Sequence, residues 1–380
     1  MTSGVLVISP KPGDQPTSPA HSKSGGVGDS ADVVARGSSP VPLSVLDLTV
    51  MGEHGSPAEA LQHTAALAQE AERWGYRRFW VAEHHSFPAS ASPAPAVLLS
   101  HLANVTGTIR LGSGGVMLTN HRPLVVAEQF GVLDAFHPGR IDLGVGRNPG
   151  GLPEVMQALG READDTRTPP FDAQVDELRR FLQNDFPDGH PYSGDRVHVV
   201  PAAPNLPLWV LGSGTTGAEA AARLGLPFAA AYHINPVQAL KAVDLYREAF
   251  RPAETLASPR TLVSVNVVCA PTEQEAVRIA RSGALMLMLA RQGRQTELPS
   301  PSTAETYPYT AEDKEFVERW MDSVVCGTPS TVRARLQDLH GRTGADELML
   351  SSLIHDFDAR RRSYSLVADA FDMKHPNTRS

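Results

Sequence analysis

Ile109-Arg110-Leu111-Gly112-Ser113-Gly114-Gly115-Val116-Met117-Leu118, then Pro123 to Phe136, then Ile141-Asp142-Leu143-Gly144-Val145 is the stretch that decides the fold. Two short, largely apolar runs bracket a longer segment in which Val126, Phe130 and Leu133 recur at helical spacing behind an opening proline. A strand, a helix and a second strand in immediate succession form a βαβ unit, whose two strands run parallel.

The same alternation extends in both directions. Strand-like runs fall at Val45–Leu48, Phe79–Ala82, Leu208–Leu211, Phe228–Tyr232, Thr261–Cys269 and Glu347–Ser351, and amphipathic stretches follow each. Ser56-Pro57-Ala58-Glu59 reads as a capping box with proline at the first helical position, and Thr272 to Glu275 as a second box. Eight strand–helix units without a linker predict an α/β chain closed into a (β/α)8 TIM barrel. An open doubly wound sheet is the alternative, disfavoured because eight is the count at which a barrel closes. Residues 1–40, rich in Gly, Ser and Pro, read as a disordered leader. Residues 41–380 read as a single barrel domain. Residues 291–310, with Gly293, Pro299, Pro301 and Pro308, break the pattern after the seventh helix and read as a mobile lid.

Composition narrows the functional classes. The 380 residues are 41% hydrophobic and 20% charged with a net charge of −8, as expected of a globular enzyme. Basic residues form no run, so a nucleic-acid surface is not expected. No apolar stretch is long enough for a membrane span or a signal peptide, and the cytoplasm is the expected location. Two cysteines, Cys269 and Cys326, build neither a disulfide framework nor a thiolate metal site.

In a barrel, chemistry sits just past the strand ends. The second strand ends in Glu83-His84-His85, and strand alternation would turn one imidazole inward. With no further ligands evident, no metal site is expected. The third ends in Gly112-Ser113-Gly114-Gly115, read either as a tight turn or as room for a flat ligand. In the fourth, Arg140 and Asp142 are expected to form a structural ion pair at the start, while Arg147 emerges at the catalytic end, suited to a phosphate. The fifth runs into Gly212-Ser213-Gly214-Thr215-Thr216-Gly217. That matches the dinucleotide fingerprint literally, but the next strand ends in Ala229-Ala230-Ala231-Tyr232-His233 without the required acid. What transfers is an anion site: open amides at a helix start, helped by the Ser213 and Thr216 hydroxyls.

Taken in order, Ala82-Glu83-His84-His85, the stretch from Gly112 to Glu128, the block ending in Gly146-Arg147 and the closing Gly344 to Met349 resemble the bacterial luciferase-like, flavin-dependent monooxygenases. The resemblance spans about Leu43 to Phe371. Within the family it is nearest the tailoring oxygenases of actinobacterial aromatic-polyketide pathways, of the mensacarcin type. It implies a barrel that takes reduced FMN from a separate NAD(P)H-dependent flavin reductase and oxygenates a small organic substrate by hydroxylation or epoxidation. His84 matches the catalytic base, Gly114–Gly115 the non-prolyl cis peptide beneath the flavin, Arg147 and Arg167 the phosphate arginines, and Ser213 and Thr216 the hydroxyl contacts. Gly146 replaces the cysteine of the light emitters, which argues against bioluminescence. A homodimer is compatible with this reading. The competing expectations are a deazaflavin-dependent oxidoreductase on the same barrel and a non-catalytic flavin-binding protein. A metal hydrolase is disfavoured for want of histidine and carboxylate ligands at the strand ends.

Overall fold

The computed structural model describes residue 39 and residues 41–148, 152–161 and 169–373. The expected leader, Ser39 apart, and Arg167 lie outside the described residues. The strands are β1 (Leu43–Asp47), β2 (Arg78–Val81), β3 (Arg110–Ser113) with its short continuation β4 (Val116–Met117), β5 (Ile141–Gly146), β6 (Leu208–Gly212), β7 (Phe228–Ala231), β8 (Thr261–Cys269), β9 (Val325–Gly327) and β10 (Glu347–Ser351). Eight of them, leaving β4 and β9 aside, close a parallel barrel. β10 pairs with β1, Leu348 opposite Leu43, and also with β8, Glu347 opposite Leu262. Closure leaves the barrel no open edge. The expected (β/α)8 architecture is the observed one.

Helices α1 (Pro57–Arg73), α2 (Pro95–Val105), α3 (Pro123–Phe136), α4 (Pro153–Ala158), α5 (Phe171–Gln183), α6 (Thr215–Leu224), α7 (Pro236–Ala249) and α8 (Glu273–Arg291) follow the first seven barrel strands. Between α8 and β10 lie α9 (Pro301–Thr306), α10 (Ala311–Ser323), β9 and α11 (Pro329–Thr343), and α12 (Phe357–Ala370) follows β10. The Ser56 capping box forms in full: Ser56 accepts from the Glu59 amide and the Glu59 carboxylate accepts from the Ser56 amide. The second forms by half. Thr272 caps the Glu275 amide, but the Glu275 carboxylate turns outward to Arg278 at 2.8 Å, because a guanidinium one turn on is a stronger partner than a neutral amide.

Leu46, Trp80, Trp209, Leu262 and Met349 fill the barrel interior, with the two indoles edge to face at 5.7 Å. Gly112 permits this packing, since a Cβ there would stand 2.5 Å from Trp80 Nε1. The floor of the barrel is ionic. Arg78 donates to Glu347 Oε1 at 2.6 Å and to Asp142 Oδ2 at 2.7 Å, and Arg110 reaches Asp142 Oδ1 at 2.6 Å. Burial works against the Arg78 charge, yet Asp142 and Glu347 outweigh it and raise its pKa. The expected Arg140–Asp142 pair is therefore corrected. Asp142 points into the barrel interior, where Arg78 waits, while Arg140 lies just before the strand. There it donates to the Ala103, Thr106 and Ile109 carbonyls.

The segment expected as a lid, residues 291–310, runs from the end of α8 through the short helix α9 to the N-cap of α10. Leu298 at its centre is fully buried and exchanges backbone hydrogen bonds with the loop after β1, taking one from Glu53 N at 2.8 Å and giving one to Met51 O at 3.0 Å. The Glu53 carboxylate accepts from Ser300 N and Thr303 Oγ1. Beneath it, Val50, Met286, Leu289, Leu298, Ala304 and Trp320 belong to a second apolar cluster outside the barrel.

Candidate active site

A cavity of about 860 Å³ opens where the strands end, at the upper end of the range for small-molecule pockets. His84, Gly114, Gly115, Arg147, Ser213 and Thr216 all line it. The structure thus gathers every expected site residue that it describes.

Two adjacent strand ends form a cationic arc. Arg147 follows β5, and its carbonyl is held by Thr119 Oγ1 at 3.0 Å. Among the described residues no carboxylate takes its guanidinium. Helix α6 begins beside it with Gly214 at the N-cap and no side-chain cap, so its first amides remain available to an anion together with Ser213 and Thr216. Arg161, which sequence reasoning missed, is a second cation on this wall and donates to Asn120 Oδ1 at 3.5 Å. It lies just past the short helix α4, where no periodicity marks it.

The Gly114–Gly115 peptide is cis. A Cβ on Gly115 would stand 2.7 Å from the Gly144 carbonyl oxygen, so the neighbouring strand itself requires glycine here.

Both His84 and His85 line the cavity, which corrects the expectation that only one would. β2 ends at Val81, and beyond it the chain is irregular, so strand alternation no longer governs side-chain direction. Ser90 Oγ donates to the Leu48 carbonyl at 2.6 Å and stands 3.4 Å from His84 Nδ1. Its proton is thereby committed, and it can only accept from Nδ1–H, which leaves a lone pair on Nε2. Burial pushes the His84 pKa down to about 4; the Glu83 charge opposes this and His85 adds to it. At neutral pH His84 is a neutral imidazole able to accept a proton or a hydrogen bond.

Glu83 is the pivot of a cluster the sequence did not reveal. His85 Nε2 lies 2.7 Å and His121 Nε2 2.8 Å from its Oε1, while the Met117 amide donates to Oε2 at 3.1 Å. Burial opposes the carboxylate charge, but these hydrogen bonds hold the Glu83 pKa below its ordinary range. The ligand atoms of Glu83, His85 and His121 lie within 4.8 Å of one another, so the expected shortage of convergent histidine and carboxylate ligands is also corrected. His121 arrives from the turn after β4, a convergence that only the folded chain shows. Two ring N–H donors and an amide partner both carboxylate oxygens, and hydrogen bonding accounts for the cluster.

His233 was passed over as well. It follows β7, lines the cavity and lies 2.8 Å from Ser264 Oγ through Nδ1. The rule that residues just past the strands face the site would have found it.

Comparison with known proteins agrees with this geometry. The family model for luciferase-like monooxygenases matches residues 41–347. The uncharacterized protein YceB of Bacillus subtilis is 40% identical over 332 residues, which span 87% of this chain and 99% of YceB. The N-acetyl-S-alkylcysteine monooxygenase of the same organism is 37% identical over 335 residues, spanning 87% of this chain and 98% of the enzyme. The crystal structure of apo-MsnO8 superposes with a TM-score of 0.78 at 40% identity and covers 88% of this chain and 98% of MsnO8. Luciferase-like proteins bind either FMN or the deazaflavin F420. With its closed barrel, its cavity and matches that run almost end to end, the chain belongs to the luciferase-like monooxygenase family.

Proposed function

We propose that this protein is the oxygenating component of a two-component FMN-dependent monooxygenase acting on an organic substrate, an aromatic polyketide by its resemblance to that subgroup. One observation carries the reading. A single cavity holds an anion-binding arc of Arg147, Ser213 and Thr216 and, with it, the neutral imidazole of His84. The donor set fits FMN: guanidinium, hydroxyls and free helix amides suit a phosphate monoester, and apolar walls including Leu46, Trp80, Met117 and Leu211 suit a flat ring.

Bound reduced flavin supplies the electrons that activate oxygen, one atom going to the substrate and the other to water. The chain's own residues bind, orient and shelter. Arg147 and the start of α6 fix the phosphate and with it the register of the ring. His84 Nε2 accepts a hydrogen bond or a proton at the reacting end. Phe87, Met286, Leu287 and Leu353 exclude water. The lid assignment for residues 291–310 joins this proposal, since Gln295 within it lines the same cavity. A separate NAD(P)H-dependent reductase would supply the reduced flavin.

The test is to titrate the protein with FMN and with F420. The protein is then incubated with reduced FMN, oxygen and aromatic polyketide extracts, and products are screened for a gain of one oxygen atom. Binding of F420 in preference to FMN would transfer the site to deazaflavin chemistry. FMN binding without any oxygenated product from a broad substrate panel would leave a flavin carrier.

A further inference from the structure

Next in strand order to the cationic arc, the cavity wall is polar but uncharged. His233 after β7, Asn266 on β8 and Ser351 at the end of β10 all line it. Asn266 and Ser351 are direct partners in the β8–β10 register. The Asn266 amide makes no hydrogen bond among the described residues, although the residue is buried. Ser351 Oγ is buried and lacks a partner among the described residues. The unpartnered Ser351 hydroxyl is costly without a ligand, and the Asn266 amide and His233 add hydrogen-bonding capacity on the same wall.

The tautomer of His233 follows from Ser264. Its Oγ lies 2.8 Å from His233 Nδ1 and 3.2 Å from the Ala230 carbonyl. Only with Nδ1–H donating to Oγ, and Oγ–H donating to Ala230, are both contacts hydrogen bonds. Nε2 then carries a lone pair, has no partner among the described residues, and faces the cavity. His84 presents its Nε2 in the same state. Two inward-facing lone pairs repel an anion and welcome a hydrogen-bond donor. The remaining wall is apolar: Leu262, Ile234, Met286 and Met349.

We propose that His233 Nε2, flanked by Asn266 and Ser351, anchors the substrate through a hydroxyl or N–H group, and that the substrate is an uncharged, largely apolar molecule with such a donor. This rests on the monooxygenase reading only in calling the ligand a substrate. The subsite itself is built by the chain.

The probes are α-naphthol, its methyl ether and α-naphthoate, titrated by fluorescence against the full-length protein with and without FMN. Naphthol should bind about tenfold or more tightly than the ether, as loss of one buried hydrogen bond implies, and with FMN on the anion arc naphthoate should bind more weakly than naphthol. His233→Ala should abolish the preference, and His233→Gln, which keeps an acceptor, should restore part of it. FMN affinity should not change in either variant. Nitrogen NMR of the parent imidazole should show Nδ1 protonated and Nε2 bare, a readout that needs no variant to fold. Equal affinity for naphthol and its ether, a preference that survives His233→Ala, or a protonated Nε2 would overturn the anchor. Loss of FMN affinity in His233→Ala would overturn it too and assign the wall to the flavin. If the parent binds no FMN but keeps the naphthol preference, the flavin reading fails and the anchor stands.

Discussion

Among the described residues no carboxylate pairs with Arg147, and the same cavity wall offers an anion hydroxyls, helix amides and Arg161. Arg147→Ala should therefore weaken FMN binding by about 1.5–3 kcal/mol, the range for charged hydrogen bonds. Flavin fluorescence quenching measures this directly, and a folded variant with parental affinity refutes the phosphate role. His84→Ala should keep FMN affinity but release hydrogen peroxide in place of product; full product yield would make His84 structural. His84 and His233 also predict an acid limit. Burial lowers both pKa values to about 4, below the ordinary 6.5, so between those values the unfolded chain binds protons that the native one refuses. Stability then falls as pH drops from about 6.5 to about 4, by at most about 1.4 kcal/mol per pH unit for each histidine. Urea titrations across that window should show the slope, and His84→Gln or His233→Gln should flatten it.

At the scale of elements, the connection from α8 to α9 is the segment whose behaviour matters most. Leu298 is buried in the second apolar cluster and bonded through its backbone to the loop after β1. Leu298→Ala should cost about 2–5 kcal/mol if the segment stays packed throughout the unfolding transition. A far smaller loss would mean that the segment already leaves its seat in the native ensemble, as a lid must. Raised peroxide release from the same variant would tie the segment to the chemistry. The sequence made the local features of the site legible, because His84, Gly114–Gly115, Arg147, Ser213 and Thr216 each sit directly behind a strand that can be recognised. It hid what depends on distance. His121 meets Glu83 across 38 positions, and Asn266 meets Ser351 only when the barrel closes. Helices α10 and α11 were not read at all. Of the two, only α10 lies in the second apolar cluster, with Val317 and Trp320; Val332, Leu336 and Leu339 of α11 join the main core, and β9 pairs with β8, so the strand–helix count closed at eight with the helix before the last strand unread.

For the whole molecule, the buried ions on the barrel floor set the largest single sensitivity. Arg78→Met would leave Asp142 and Glu347 short of their central partner and should cost about 3–5 kcal/mol, read from the urea midpoint. A loss within the scatter of surface substitutions would show that Arg110, on Asp142, and Arg77, 3.7 Å from Glu347, compensate. The same floor bears on synthesis. Glu347 leaves the ribosome 269 positions after Arg78, and β1 waits for β10 over a similar interval. A nascent chain halted before residue 347 would present two open strand edges, on β1 and β8, and a guanidinium answered by one carboxylate instead of two. Such a chain could not complete its barrel by degrees; the last strand would convert an aggregation-prone open sheet into an enzyme in one step. Termination before residue 347 should therefore abolish the soluble protein altogether, though Arg147, Ser213 and Thr216 have already been made.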